Sequence, residues 1–401
     1  MLLTVLLVLH ISLLAVFTGA THVIRWRNTV KPPPPAETPA NLLFECLRPY
    51  GDQPWWEGIN LWEPPVQLAL QDLCQLGSVV FDVGANLGGL TAVMSRLVGP
   101  KGTVCSFEAS PRIFAHLQLN IVKQGFQNVF PIPRAVYFRS FEQIKVFQGD
   151  HLNDSIYHSN PDATTYSTVE TVALDDFVEV SGLVPDTVKM DIEGAEYDAL
   201  LGATALVDKH RPHMILEQQT NDQRCLNFFI DRGYCAIDVN TLRSVRSLAD
   251  YPASVGLRNV LFIHEERLES LPYTLPAERD THLEIKGADF RTESGGWLAG
   301  PFRLPAGRYF ADMLFEGQGI DNEMVCGASI DGQQILRYHA NTKLLSDSYR
   351  DWVFDIQREA NLEFFFSFRG GSGDSTFAIR GATLARLRSF RPRPNARLLL
   401  K

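Results

Sequence analysis

The chain has 401 residues and a mass of 45.0 kDa, a length that predicts two or three folded units at roughly 150 residues per domain. Apolar residues make up 45% and charged residues 21%, which excludes wholesale disorder, collagen-like repetition and a polytopic membrane protein. With 37 basic against 46 acidic residues the net charge is -9, a balance that repels phosphate backbones and predicts no nucleic-acid partner.

The six cysteines, at 46, 74, 105, 225, 235 and 326, include no Cys-x-x-Cys pair. They read as small core residues, not as a zinc knuckle or a disulfide framework, and fit a reducing compartment.

Leu2 to Ala20 is almost continuously apolar, about the ~20 residues a helix needs to cross a bilayer. Arg25, Arg27 and Lys31 follow it, which by the positive-inside tendency leaves the bulk of the chain facing the cytoplasm. Residues 1–24 are thus expected to be a membrane anchor. The alternative is an export signal cleaved near Thr18-Gly19-Ala20, with small residues at the cut. Lys31 to Pro39 carries a run of four prolines, so residues 25–45 read as a polyproline II linker.

From residue 78 to about 265, short β-branched runs alternate with helical patterns, the signature of a parallel sheet covered by helices. Strands are predicted at Ser78–Val83, Thr103–Glu108, Asn128–Val136, Asp186–Asp191, His213–Glu217, Cys235–Val239 and Asn259–His264. Helices are predicted at Gly88–Val98, from Pro111 to Gly125, at Gly194–Val207 and around Leu226–Ile230, using proline as a helix opener and glycine as a stop. Residues 139–173 break the rhythm with a hairpin-like strand at 141–147 and a polar stretch at 151–167, and read as an insertion over the sheet. The last two strands lack an intervening helix and are expected to pair antiparallel. A nicotinamide-type sheet would instead continue with a sixth parallel strand.

The chemistry concentrates in Phe81-Asp-Val-Gly-Ala-Asn-Leu-Gly-Gly89, between the first strand and its helix. Ligands of open α/β sheets bind beyond the carboxyl ends of strands, where glycines admit the backbone and a helix N-terminus offers free N–H groups. Gly84 and Gly88 suit that role, and Glu108 at the tip of the second strand is placed to take ribose hydroxyls. The turn lacks the second glycine of a dinucleotide fingerprint and carries Asp82 instead. A carboxylate there suits a cationic, amino-acid-bearing nucleoside such as S-adenosylmethionine better than a pyrophosphate.

Four motifs in order, Phe81-Asp-Val-Gly-Ala-Asn-Leu-Gly88, Phe107-Glu-Ala-Ser-Pro111, Val188-Lys-Met-Asp-Ile-Glu-Gly-Ala-Glu196 and Arg211-Pro-His-Met-Ile-Leu-Glu217, resemble the FkbM-type methyltransferases. The resemblance covers roughly residues 60 to 265. It implies a class I methyltransferase, a Rossmann-like seven-stranded α/β sheet with a terminal antiparallel hairpin, methylating hydroxyls of sugars or polyketide-like natural products. Carried over by position, it implies that Asp82, Gly84, Asn86 and Gly88 hold the methionine end of S-adenosyl-L-methionine and that Glu108 holds its ribose. Two departures, Ala109-Ser110 after Glu108 and the long insertion, bear on the acceptor.

Methyl transfer to an alcohol needs an in-line oxygen and gains from a base that removes its proton. Asp191 and Glu193 past the fourth strand, and Glu217 on the fifth, are the candidate catalytic carboxylates. Glu193 or Glu196 could instead only cap the following helix. No histidine joins these acids at ligand spacing, so no metal is predicted. His151 and His158 are alternative bases, and Trp55, Trp56 and Trp62 a possible sugar-stacking wall.

After Glu265 helical periodicity gives way to short aromatic and alternating runs separated by Gly, Asp, Asn and Pro, predicting an all-β sandwich over residues 269–388 behind a methyltransferase domain at 46–268. Leu304-Pro-Ala-Gly-Arg-Tyr309 and Phe364–Phe368 resemble carbohydrate-binding jelly-roll modules, with Trp297, Tyr338 and Trp352 as candidate platforms; a dimerising sandwich, and hence a homo-oligomer, is the rival. Residues 389–401 close the chain as a basic tail suited to anionic headgroups. The expected activity is an O-methyltransferase acting on a sugar, glycan or glycolipid hydroxyl. The rivals are a nicotinamide-dependent oxidoreductase and a catalytically inactive glycan-binding scaffold.

Overall fold

The computed structural model describes residues 63–149, 154–157, 165–219, 221–250, 257–293, 296–316, 323–341, 351–369 and 378–391. The expected anchor and linker, Trp55, Trp56, Trp62, His151 and His158 lie outside them. No helix among the described residues is long and apolar enough to cross a membrane.

The seven predicted strands all form. They are β1 Val79–Val83, β2 Thr103–Phe107, β3 Val129–Ile132, β7 Thr187–Met190, β8 His213–Gln219, β9 Tyr234–Asp238 and β11 Leu257–His264, and an eighth, β10 Ser244–Val245, adds one edge. The order is β10-β9-β11-β8-β7-β1-β2-β3. Strands β3, β2, β1, β7 and β8 run parallel, while β11 runs antiparallel to both β8 and β9. The hairpin therefore folds back so that its second strand, not its first, joins the parallel set.

Both faces of this sheet are covered, as parallel strands require. Helices α1 Pro64–Leu73, α2 Gly89–Val98 and α3 Pro111–Gln124 pack on one face, against Val80, Val104, Ile215 and Leu261. The two prolines that open α1 sit where their missing N–H groups cost nothing. The opposite face, with Phe81, Val83, Val188, Met190, Met214 and Phe262, is covered by α4 Leu174–Ser181, α5 Glu196–Leu201, α6 Thr204–His210 and α7 Arg224–Ile230.

Two local expectations change. The single helix predicted at 194–207 is two, α5 and α6, broken at Gly202-Ala203. A side chain at Gly202 would lie 2.3 Å from the Tyr137 carbonyl oxygen, so the chain bends to pack there. The insertion is more ordered than its polar composition suggests. Strand β5 Gln143–Phe147 pairs antiparallel with β6 Tyr166–Val172, which also pairs with β4 Ala135–Val136 split from the predicted third strand.

The C-terminal part is two antiparallel sheets. One takes β12 Arg279–Lys286, β20 Ala378–Leu387, β15 Gly307–Glu316 and β18 Asp351–Ile356 in that order; the other takes β13 Phe290–Glu293, β14 Gly296–Leu304, β19 Ala360–Arg369, β16 Glu323–Ile330 and β17 Gln333–Asn341. Both enclose one core that includes Met313, Trp352, Phe354, Phe364, Phe366 and Leu384. Trp352 is fully buried with its ring stacked on Phe366 at 5.8 Å, which removes it as a ligand platform. Trp297 is partly buried against the same core, and the Tyr338 side chain lies outside what is described.

Alternation makes the first of these sheets two-sided. On β15, Tyr309, Ala311 and Met313 enter the sandwich core, while Phe310 joins Val353 and Leu387 in the same cluster as Val66, Leu70 and Leu73 of α1. Arg308, 1% exposed, crosses this junction: its Nη2 donates to Asp72 Oδ1 of α1 at 3.0 Å and its Nε to Asp355 Oδ1 at 2.7 Å. Basic side chains leading up to the expected tail, and its first residues, are tied to the fold. Arg386 belongs to β20 and donates to the Ala306 carbonyl, Arg388 pairs with Glu278 at 2.9 Å, and the Arg391 N–H donates to Pro272.

Candidate active site

Strand geometry builds the site, because side chains two residues apart share a face. In β1, Val80 and Asp82 face α1 and α2. The register places Asp82 between Ser106 of β2 and Lys189 of β7. Two residues past Lys189 comes Asp191, and two past its register partner Ile215 comes Glu217, opposite Asn259 of β11. One edge of one face thus gathers Asp82, Lys189, Asp191, Glu217 and Asn259.

Asp82 is fully buried. The Thr91 hydroxyl of α2 donates to its Oδ2 and lies 3.1 Å from the Ser106 hydroxyl, while Oδ1 has no hydrogen-bond partner. Burial raises its carboxyl above the usual range, opposed by Lys189 and the Thr91 hydroxyl. Asp82 therefore lies wholly inside the sheet–helix layer, held through Thr91 to α2.

That turn needs left-handed backbone at Gly84 (φ 79), Asn86 (φ 51) and Gly88 (φ 91). The N–H groups of Gly84 and Ala85 both donate to the Phe107 carbonyl, at 3.0 and 2.9 Å. A Cβ on Gly84 would lie 1.7 Å from the Asp191 carbonyl oxygen, so the glycine-rich turn and the Asp191 loop abut. Glu108 accepts the Asn86 N–H on Oε2 at 2.9 Å and the Ser110 N–H on Oε1 at 2.8 Å. Burial pushes its carboxyl up to about 7 despite these two donors. The carboxylate is aimed by backbone at both oxygens, and lone pairs remain for hydroxyls.

These groups fit S-adenosylmethionine. A buried carboxylate with an orphaned oxygen favours a cationic methionine end, and an oriented acid at the tip of β2 matches a ribose. Gly84, Asn86 and Gly88 act here by backbone shape, since the Asn86 side chain accepts the Leu87 N–H at 2.8 Å within the turn.

The second half of the cleft is acidic. Lys189, 3% exposed, donates from Nζ to Asp191 Oδ2 at 3.1 Å. Glu193 holds a left-handed backbone (φ 56), and its carbonyl accepts the Ser155 hydroxyl of the insertion at 2.9 Å. Burial, followed by Asp191, pushes its carboxyl up to about 7. Glu217 is pushed up to about 9 by burial and then by Asp191, Glu63 and Glu193. Glu196 accepts the N–H of Ile192 at 2.8 Å, so it is the acid that braces the loop.

Sequence reasoning missed Glu63, immediately before α1. Its Oε1 accepts from Asn259 Nδ2 at 3.2 Å, and burial raises its carboxyl. One oxygen each from Glu63, Asp191 and Glu217 lie within 4.8 Å of one another, close enough that Asp191 adds to burial in raising the carboxyls of Glu63 and Glu217. The Pro64-Pro65 pair that follows it signals a helix start but not the Asn259 partner. Three non-glycine residues with left-handed backbone, Glu63 (φ 43), Asn86 and Glu193, border this cleft, where such strain tends to collect at functional positions.

Residues 82–235 match the family described as the methyltransferase FkbM domain. A fibrillarin-like rRNA/tRNA 2′-O-methyltransferase from Pyrobaculum neutrophilum is 40% identical over 58 residues, 14% of this chain and 25% of that protein. The chain thus spans about a quarter of that relative. Among solved structures, a methyltransferase FkbM from Methylobacillus flagellatus KT aligns at 18% identity over 47% of this chain and 44% of that one, TM-score 0.30. Aeropyrum pernix fibrillarin, solved with natively bound S-adenosyl-L-methionine, aligns at 13% identity over 51% of this chain and 76% of that one, TM-score 0.30. The match to residues 82–235 spans the Asp82 turn, Glu108 and the Asp191–Glu193 loop in the order their motifs predict, and this segment is similar to the methyltransferase FkbM domain.

Proposed function

We propose that the protein is an S-adenosylmethionine-dependent O-methyltransferase acting on a hydroxyl of a sugar, glycan or glycolipid. The observation that carries this reading is the abutment of the Gly84 turn on the Asp191 carbonyl. It sets the cofactor motif directly against a loop and strand tip bearing Asp191, Glu193 and Glu217.

Bound cofactor supplies a methyl group on a sulfonium. The chain must present an oxygen in line with it and remove that oxygen's proton, a role for a base with pKa near the working pH. Glu193, at about 7, accepts the proton of the acceptor hydroxyl. Asp191, held by Lys189, orients the acceptor. Glu217, protonated at neutral pH with its carboxyl at about 9, donates a hydrogen bond. A relative named for 2′-O-methylation supports oxygen as the acceptor atom, and the net charge of -9 favours a glycan over a nucleic acid.

The deciding experiment incubates the full chain with methyl-labelled cofactor and cell-surface glycan extracts. Label appearing in an alkali-stable ether of a sugar supports the reading, and E193Q is expected to slow it by roughly 10²–10⁴-fold. Label confined to RNA or to protein amines would refute it. We further propose that residues 1–24 anchor the chain with its catalytic domain in the cytoplasm. Fractionation should recover the full chain in membranes and a variant lacking residues 1–30 in the soluble fraction; a soluble full chain defeats the anchor.

A further inference from the structure

Lys189 has no role in the reading above beyond steadying Asp191, yet its surroundings assign it more. It is 3% exposed, at the C-terminal end of β7. A buried lysine without partners is driven to lose its proton. Here burial alone would push the ammonium down, but the carboxylates of Asp191, Asp82 and Glu63 outweigh it and hold it above the ordinary lysine range. Its charge also lowers the carboxyls of Glu193 and Glu217.

Several neighbouring elements contribute acids or hydroxyls. From β1 comes Asp82, its register neighbour; beyond the end of its own strand come Asp191 and Glu193; beside Ile215 on β8 comes Glu217; and before α1 comes Glu63. Helix α2 and strand β2 add the hydroxyls of Thr91 and Ser106. Beyond burial, acids gathered this closely raise the carboxyls of Asp82, Glu193 and Glu217, and the Lys189 ammonium stands among them.

We infer that Lys189 is a positioning residue of the cleft: its ammonium is the shared counter-charge that lets cofactor-side Asp82 and acceptor-side Asp191 occupy one sheet face, and it fixes the Asp191 carboxylate. The inference borrows from the methyltransferase reading only the roles given to Asp82 and Asp191. A purely structural lysine would merely fill space with its stem, and replacing it by methionine, close in volume, would then cost the same at every pH.

The test is thermal unfolding of the full chain in detergent, without cofactor, from pH 5.5 to 8.5. Wild type, K189R, K189M and K189M/D191N are compared. In K189M the carboxyls of Asp82, Glu193 and Glu217, raised in the folded state, lose the charge that lowers them, so stability held by their protonated forms is lost as pH rises. K189M should therefore melt below wild type, with a deficit at least about 5 °C larger at pH 8.5 than at pH 5.5. K189R should follow wild type within about 2 °C. K189M/D191N, which removes one negative charge together with the ammonium, should recover about half of the K189M deficit at pH 8.5. A deficit constant across pH, or none, overturns the inference. If K189M does not fold at pH 8.5, the double variant is expected to fold there, and its failure overturns the inference too. Cofactor enters none of these measurements, so a chain that fails to bind S-adenosylmethionine sinks the functional reading and leaves this result to stand on its own.

Discussion

The Glu108 carboxylate receives the backbone N–H of Asn86 at 2.9 Å, which ties the acid at the tip of β2 to the middle of the glycine-rich turn. Replacing Glu108 by alanine is expected to weaken S-adenosylmethionine binding by about 1.5–3 kcal/mol, the range for hydrogen bonds to a charged group. Because burial pushes this carboxyl up to about 7, wild-type affinity should fall as pH drops below that value and the acceptor oxygens are protonated. E108Q should lose this dependence. Calorimetric titration between pH 5.5 and 8.5 measures both, and an affinity indifferent to the substitution would remove the ribose assignment.

Gly84 admits no side chain. Its backbone is left-handed and a Cβ would meet the Asp191 carbonyl at 1.7 Å. G84A must push β1 and β7 apart at their tips, so it should cost about 3 kcal/mol of stability and abolish cofactor binding at micromolar concentrations. Denaturant unfolding with and without cofactor would show it; a variant that folds and binds like wild type would mean the turn and the Asp191 loop are not in contact.

The pH dependence of stability has a definite sign. The folded-state carboxyls of Glu193 and Glu217 lie at about 7 and about 9, above their ordinary 4.5. The folded chain therefore holds protons that the unfolded chain releases, and stability present below pH 4.5 is lost as pH rises through 7 and 9. The cofactor-free melting temperature should fall by several degrees from pH 5.5 to 8.5. E217Q, neutral throughout, should flatten that fall and melt above wild type at pH 8.5. A melting temperature that rises over this range contradicts the assigned burial of these acids.

Asp72 and Arg308 form a buried pair between α1 and β15, supported by Asp355. Removing one partner leaves a charge buried without compensation, which costs about 3–5 kcal/mol. D72A should therefore destabilise the whole chain by that amount, seen as one shifted unfolding transition, since both parts share the apolar cluster around Leu70 and Phe310. Two separate transitions would show that the parts fold independently.

Much of this was legible in the sequence because β-strands alternate. Asp82 after Val80, Lys189 before Asp191, and Glu217 after Ile215 are all spaced by two, so their common face follows from the residues once the strands are placed. The strand set itself was readable from its β-branched runs. Glu63 was not, because nothing local ties residue 63 to Asn259; that contact depends on how α1 lies across the sheet. Strand β6 was obscured by its serines and threonines, whose pairing with Gln143–Phe147 supplies what their polarity conceals. Trp352 read as a possible platform because sequence shows an aromatic in an alternating strand but not which of two sheet faces is covered.

The layer in which Phe310, Val353 and Leu387 meet α1 has a bearing on how such proteins can be recombined. The recognisable catalytic segment ends long before the chain has finished building the roof above its own first helix, so cutting after β11 would expose a greasy flank and strand the Asp72 carboxylate there. Any transplant of a different C-terminal module must bring along a matching strand face with an arginine at the position of Arg308, and it is at that seam that grafted chimeras will succeed or precipitate.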